Sequence, residues 1–186
     1  MYILLEEFLD ILTDNGAPKN LVCSKDEAHA KGLFHATVHI WFYTQTGDVL
    51  FQKRAANKET FPNYWDVSVA GHVMAGESIE TAALREVNEE IGLKIETSQL
   101  NKIDLRKSVN NHPNGIIDCE FQTVFLCQLE VPLEQLIKQD EEVDALCLQS
   151  LENFKHFTVH RNEAFKLVPA DYSYYTFIIN HIMNVL

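Results

Sequence analysis

Glu86, Glu89 and Glu90 stand three and four positions apart, so a helix brings their carboxylates to one side. Like charges at that spacing destabilise an isolated helix by about 0.2–0.5 kcal/mol per pair. Two readings account for the pattern. One is a solvated acidic face. The other is a site for a hard divalent cation, since Mg²⁺ takes oxygen ligands and joins a few carboxylates to substrate phosphates. Arg85, just before the cluster, and Glu77, in the preceding turn, would then form an ion pair that fixes a loop against the helix. The chemistry on offer is metal-assisted displacement at phosphorus.

Other residues admit paired readings. Lys53 and Arg54 are adjacent on a predicted strand and face opposite sides, so one meets a substrate phosphate while the other is solvated. Trp65 either stacks on a base or packs in the core. His72 follows Gly71 and is a candidate contact for a diphosphate. His35 and His39 share a strand face with no third ligand defined in sequence, so they read as hydrogen-bonded polar histidines. Glu120 lies on a strand with Asp118 and Gln122 on its side, as a surface carboxylate or as a metal ligand and base. Glu141 and Glu142 form an acidic loop or supply a base; Tyr172, Tyr174, Tyr175 and Phe177 read as core or dimer contacts.

The elements that must position these groups follow from pattern. Residues 8–13 and 21–23 flank Asn15-Gly16, a hairpin signal. Ser24 caps a short helix over 25–30 that Gly32 stops. Residues 34–43 alternate, with Phe34, Ala36, Val38, Ile40 and Phe42 on one face, and predict a strand. Further strands are expected over 49–54, 65–73, 103–109, 118–131 and 143–148. Ile79, Ala82, Ala83, Val87 and Ile91 predict a helix over 78–91 with Gly92 after its end. Short and closing helices are expected over 151–157 and 172–185. This is an α/β pattern, a mixed sheet with helices on its faces.

Composition narrows the function. The 186 residues carry 15 Lys+Arg against 27 Asp+Glu, a net charge of −12 that disfavours a nucleic-acid polymer as partner. The start, Met1 to Glu7, lacks the basic lead of a signal peptide, and no run approaches the ~18 apolar residues of a membrane span. Cys23, Cys119, Cys127 and Cys147 form no Cys-x-x-Cys pair and read as buried thiols in a reducing cytoplasm.

The segment Gly71-x5-Glu77-x7-Arg85-Glu86-Val87-Asn88-Glu89-Glu90-Ile91-Gly92-Leu93 resembles the Nudix box at every defined position. At ~5–7% per letter such a match arises by chance in one chain with a probability on the order of 10⁻⁷. The resemblance implies an α/β/α sandwich, with the box as a loop–helix–loop. It also implies hydrolysis of a small nucleoside diphosphate linked to another group, X, with Mg²⁺ or Mn²⁺. It makes Glu86 and Glu90 the principal metal ligands, Glu89 a further ligand or base, and Glu77–Arg85 the supporting ion pair; the Gly71 carbonyl also reaches the metal. The expected organisation is a single domain over 1–186. Its parts are a hairpin and short helix (1–33), a core (34–150) carrying the box (71–93), and C-terminal helices (151–186). A small diphosphate substrate is the expected partner, with no membrane and a homodimer left open.

Beyond the box, Glu27 to Trp41, Gln52-Lys53-Arg54 and Phe61 to His72 look like the branch similar to isopentenyl-diphosphate isomerase. By that resemblance His35 and His72 fall on two of its metal-binding histidines, His29 one residue out of step with a third, and Asp118 and Glu120 on its acidic pair. The isomerase carries its catalytic Cys two residues before the equivalent of His72, where this chain has Ala70, and its box is degenerate whereas this one is complete. Both departures point to a hydrolase. Isomerase chemistry and a non-catalytic nucleotide-metabolite sensor are the alternatives.

Overall fold

The computed structural model describes residues 6–160 and 162–186; Met1–Leu5 and Arg161, together with the Tyr172 side chain, lie outside the described residues, and so does most of the N-terminal start considered above. β1 (Phe8–Leu12) and β2 (Pro18–Ser24) form the expected antiparallel hairpin, with Gly16 at φ 84° in its turn. Ser24 caps α1 (Lys25–Lys31), accepting from the Glu27 N–H.

A seven-stranded mixed sheet follows, made of β3 (His35–Tyr43), β4 (Asp48–Arg54), β5 (Trp65–Asp66), β6 (Val69–His72), β7 (Asn101–Asn111), β8 (Ile117–Gln128) and β9 (Val143–Ser150). The main path runs β5-β4-β3-β8-β7, with β6 on β3 and β9 on β4; β3 and β8 are parallel and the other pairs antiparallel. The helices are α2 (Ile79–Ile91), α3 (Leu151–Val159) and α4 (Tyr172–Val185). None of the described helices is long and apolar enough to cross a membrane.

The alternation read on β3 separates two cores. Val38, Ile40 and Phe42 pack with Ala82, Ala83, Val87 and Ile91 of α2. Trp41 joins Phe51, Val124, Phe154 and Ile178 on the face covered by α3 and α4. Sheet and flanking helices are thus the expected α/β/α layers. The strand expected over 65–73 is two strands. The chain leaves β4 after Asp66 and joins β3 from Val69. Ser68 bridges the change by accepting from the Phe42 N–H and donating to the Leu50 carbonyl, so backbone groups on both partners stay satisfied.

Candidate active site

α2 delivers the carboxylates. Ser78 caps it by accepting from the Thr81 N–H, and Gly92 ends it at φ 67°. A side chain at Gly92 would also meet the Ile137 backbone. Ala82, Ala83, Val87 and Ile91 are buried against the sheet. Glu86 and Glu90 flank this stripe and reach β6. Glu90 is 6% exposed, and its Oε2 accepts from Gln52 Nε2 at 3.0 Å and the Ala70 N–H at 3.3 Å. Burial, and then Glu86, push its carboxyl up to about 8. Burial raises Glu86 too, against the pull of Arg85. Gly71 lies so close to Glu86 that a Cβ there would fall on the carboxylate.

Arg85 ties the set together. Its Nε and Nη2 donate to Glu77 at 3.0 and 2.9 Å, and Nη2 also donates to the His72 carbonyl at 2.8 Å. Its Nη1 donates to Glu86 at 2.7 Å and Glu89 at 3.0 Å. Glu77 and Arg85 therefore make the ion pair expected of them, between the loop and α2. Burial raises the Glu77 carboxyl, but the Arg85 hydrogen bonds and the Met74 N–H outweigh it and hold it below the ordinary value. Glu89 stays at the rim, its side chain 46% exposed. An all-oxygen donor set with two carboxyls driven up by crowding and burial fits a hard divalent cation.

A second cluster draws on four elements. His29 of α1, His35 of β3, His72 of β6 and Glu120 of β8 place one ligand atom each within 4.8 Å of one another. Each pair of the three imidazole rings has its centroids 5.2 Å apart. His35 Nδ1 donates to the Leu33 carbonyl at 2.8 Å, which leaves the lone pair on Nε2. That Nε2 is buried without a partner among the described residues. Burial lowers His35 to about 4 and takes His72 well below its ordinary value, so both are neutral near pH 7. Burial raises Glu120 to about 7, against a 2.7 Å hydrogen bond from Gln122. Neutral imidazoles with one carboxylate fit a borderline transition-metal ion.

This changes the reading of the histidine pair. His39 is a hydrogen-bonded polar histidine, its Nδ1 2.9 Å from the Tyr174 hydroxyl. His35 is so on one side only: Nδ1 bonds the Leu33 carbonyl, while Nε2 is unpaired among the described residues and its ring neighbours come from α1 and β6, far away in sequence. His29, one residue out of step by the resemblance, still reaches the cluster from α1.

Glu86, Glu89 and Glu90 line one cleft of about 690 Å³ together with His29, His72 and Glu120, with Arg54 and Lys58 on its wall and His35 buried behind it. Arg54 is held by Asp66 at 3.0 Å and by the Thr60 carbonyl at 3.0 Å. Lys58, which pairs with Glu142, carries no motif signal in the sequence, and neither does Arg106. Glu141 and Glu142 also line the cleft. Two expectations are corrected. Lys53, expected to bind substrate, lies off the cleft: strand alternation turns it away, and its ammonium pairs with Asp144 at 2.7 Å. Trp65, expected to stack on a base or to pack, packs off the cleft, its ring on Phe165 at 4.6 Å and 8°. Tyr174 and Tyr175 are core residues whose edges also line the cleft.

The NUDIX domain family matches residues 33–170. Nudix hydrolase 3 of Arabidopsis thaliana is 34% identical over 173 residues, which are 90% of this chain and 22% of that much longer protein. An uncharacterized Nudix hydrolase of Clostridium acetobutylicum is 30% identical over 207 residues, covering 96% of this chain and 98% of the relative. An isopentenyl-diphosphate Delta-isomerase of Escherichia coli is 32% identical over 139 residues, 74% of each chain. A crystal structure from Deinococcus radiodurans shares the fold at a TM-score of 0.63 and 20% identity, covering 96% of this chain and 98% of its own. With the complete box folded as a capped helix against β6, and with that family matched across most of its length, the chain belongs to the Nudix family.

Proposed function

We propose that this chain is a pyrophosphohydrolase that depends on Mg²⁺ or Mn²⁺ and cleaves the diphosphate linkage of a small nucleoside diphosphate-X type substrate. One observation carries the reading. Glu86 packs against Gly71, and Glu90 accepts from the Ala70 N–H, at one end of a cleft whose wall holds Arg54 and Lys58.

Glu86 and Glu90 would hold the cation, with Glu89 and the Gly71 carbonyl as further oxygens. A cation there supplies charge neutralisation of the diphosphate and a lowered pKa for the attacking water. The rest falls to side chains. Arg54, anchored by Asp66, and Lys58 bind the diphosphate oxygens. The His72 imidazole, the member of the histidine cluster next to Gly71 in sequence, adds a contact. Arg85 and Glu77 keep the loop at Gly71 in place. Glu89, exposed at the rim and held by Arg85, takes the proton of the attacking water. Glu120, titrating near neutrality, holds or releases a proton at the opposite wall.

The test is product release from a panel of diphosphate compounds, wild type beside Glu90→Gln, which changes charge with little change of shape. The expected result is cation-dependent release that falls by about 10²–10³-fold in the variant, with its melting transition retained. Full activity in the variant overturns the ligand assignment. Tight binding of one compound with no turnover of any replaces the hydrolase by a sensor. A second reading, isomerase chemistry, is favoured by the His29–His35–His72–Glu120 cluster. Against it stands Ala70, whose methyl group neither donates nor accepts a proton. Isopentenyl diphosphate in the panel, followed for double-bond migration, separates the two.

A further inference from the structure

Beyond His72, the cleft has a floor that the diphosphate machinery leaves unused. On the sheet face turned toward α4, His72, Thr37, Gln122 and Arg106 stand in direct register across β6, β3, β8 and β7. Cross-strand neighbours in register point to the same side, and all four line the cleft. One step along β3 comes His39, and the next is Trp41, fully buried, where the apolar core closes the floor. Tyr174 covers it from α4. Its hydroxyl lies 2.9 Å from His39 Nδ1 and accepts from Trp41 Nε1 at 3.0 Å, and the Arg106 guanidinium lies 4.1 Å from its ring centroid.

One group on this floor has nothing to bond. Thr37 is 4% exposed, and its hydroxyl has no hydrogen-bond partner among the described residues. Such a group costs about 1–3 kcal/mol when sealed from water. An isoprenoid chain laid here would leave that hydroxyl unpaired and would also cover Gln122 and Arg106, returning no hydrogen bond. A nucleobase would need an open aromatic face, but Arg106 already covers that of Tyr174. A second phosphate would suit Arg106 but would meet Asp66 and Glu120 in the same cleft. A hydroxyl both donates and accepts, which suits the Thr37 hydroxyl and the Gln122 amide oxygen, the Gln122 Nε2 already donating to Glu120 at 2.7 Å.

We infer that Thr37, Gln122 and Arg106, roofed by Tyr174, form the X-group subsite and select a hydroxylated, sugar-like group over a prenyl chain. The inference rests on the hydrolase reading for the direction in which the diphosphate lies. It names specificity-determining residues that no part of the box specifies.

Binding and turnover test it separately. Binding of ADP-ribose, UDP-glucose, isopentenyl diphosphate and inorganic diphosphate is measured calorimetrically, with Ca²⁺ on the carboxylates. Wild type binds at least one sugar compound about tenfold or more tighter than isopentenyl diphosphate, because unpaired polar groups in a site reject a ligand that lacks their partners. Thr37→Val and Arg106→Met each remove most of that advantage and leave inorganic diphosphate unchanged, and Thr37→Ser restores it. Equal or tighter binding of isopentenyl diphosphate overturns the inference, and so do variants that weaken inorganic diphosphate to the same degree. If Thr37→Val fails to fold, Arg106→Met decides alone. Hydrolysis is followed in parallel with Mg²⁺. A sugar preference without product release removes the hydrolase reading and keeps the subsite, whereas release with a prenyl preference does the reverse.

Discussion

The acidic end of the cleft comes from one helix and the loop before it, and the histidine end from four separate elements. At the acidic end, the positions of Glu86, Glu89 and Glu90 follow from α-helical spacing once Ser78 and Gly92 set the limits of α2. At the histidine end, nothing local relates His29 to His35 or either to Glu120. Their meeting depends on β3 lying parallel to β8 with His35 opposite Glu120, and on β6 pairing with β3 so that His72 falls beside Thr37. Burial acts on both ends with opposite sign. It drives carboxylates up at one and imidazoles down at the other, and each shift favours the neutral form. The two ends therefore suit different ions, a hard one on oxygen and a softer one on nitrogen.

Gly71→Ala should break the acidic end alone. The new methyl group lands on the Glu86 carboxylate, which must swing away. A displacement of this size costs about 10²-fold in turnover. The histidine end should survive, so Zn²⁺ binding measured by calorimetry stays at the wild-type value. Wild-type turnover in the variant would mean that Glu86 is not a ligand.

His35→Gln should do the converse. Glutamine can still donate to the Leu33 carbonyl but offers no imidazole lone pair to the cluster. Zn²⁺ affinity should fall by more than the ~10–100-fold that losing a ligand's hydrogen-bond partner costs, while Mg²⁺-supported turnover changes far less. An unchanged Zn²⁺ isotherm would show that the four groups meet for another reason.

Stability in chelator sharpens the contrast. The Glu90 carboxyl is raised to about 8 in the fold, above its ordinary value of 4.5. Its contribution is therefore full below the unfolded value and is lost as pH rises through 8. His35 is lowered to about 4 from 6.5, so its contribution is full above 6.5 and is lost as pH falls through 4. Relative to wild type, Glu90→Gln should thus gain most at pH 8 and His35→Gln most at pH 5. The gains should be about 1–3 kcal/mol, or roughly 2–4 °C in melting temperature per kcal/mol. Differences that run the same way with pH would refute the opposite assignments.

How far each end could be read in the sequence follows from the same contrast. The carboxylates, the Gly92 stop and the Glu77–Arg85 pair were legible because they follow from local spacing, whereas Ser78 was read as the first helical residue and is the cap. The strands were legible from alternation, and Trp41 against Val38 shows that alternation also told one core from the other. The break at Ser68 was not, since it depends on which neighbours a strand leaves and joins. The meeting of His35 with His72 and Glu120 was legible only through the isomerase resemblance, because parallel pairing of β3 with β8 brings together residues whose separation along the chain carries no signal. Lys58, Arg106 and the unsatisfied Thr37 hydroxyl lay beyond it for the same reason.

Lys53→Ala should do almost nothing, and that makes it the control for both ends. Lys53 and Arg54 differ only in strand parity. Arg54 is 19% exposed in its side chain and fixed by Asp66, whereas Lys53 pairs with Asp144, itself 49% exposed. A solvent-facing pair of this kind is worth about 0–1 kcal/mol. Melting temperature and kcat/KM of Lys53→Ala should therefore stay near wild type, while Arg54→Ala loses diphosphate affinity and leaves Asp66 without its partner. A matching loss of KM in both variants would mean that the bound diphosphate extends around the edge of β4, and the boundary drawn for the cleft would have to move to include Lys53 and Asp144.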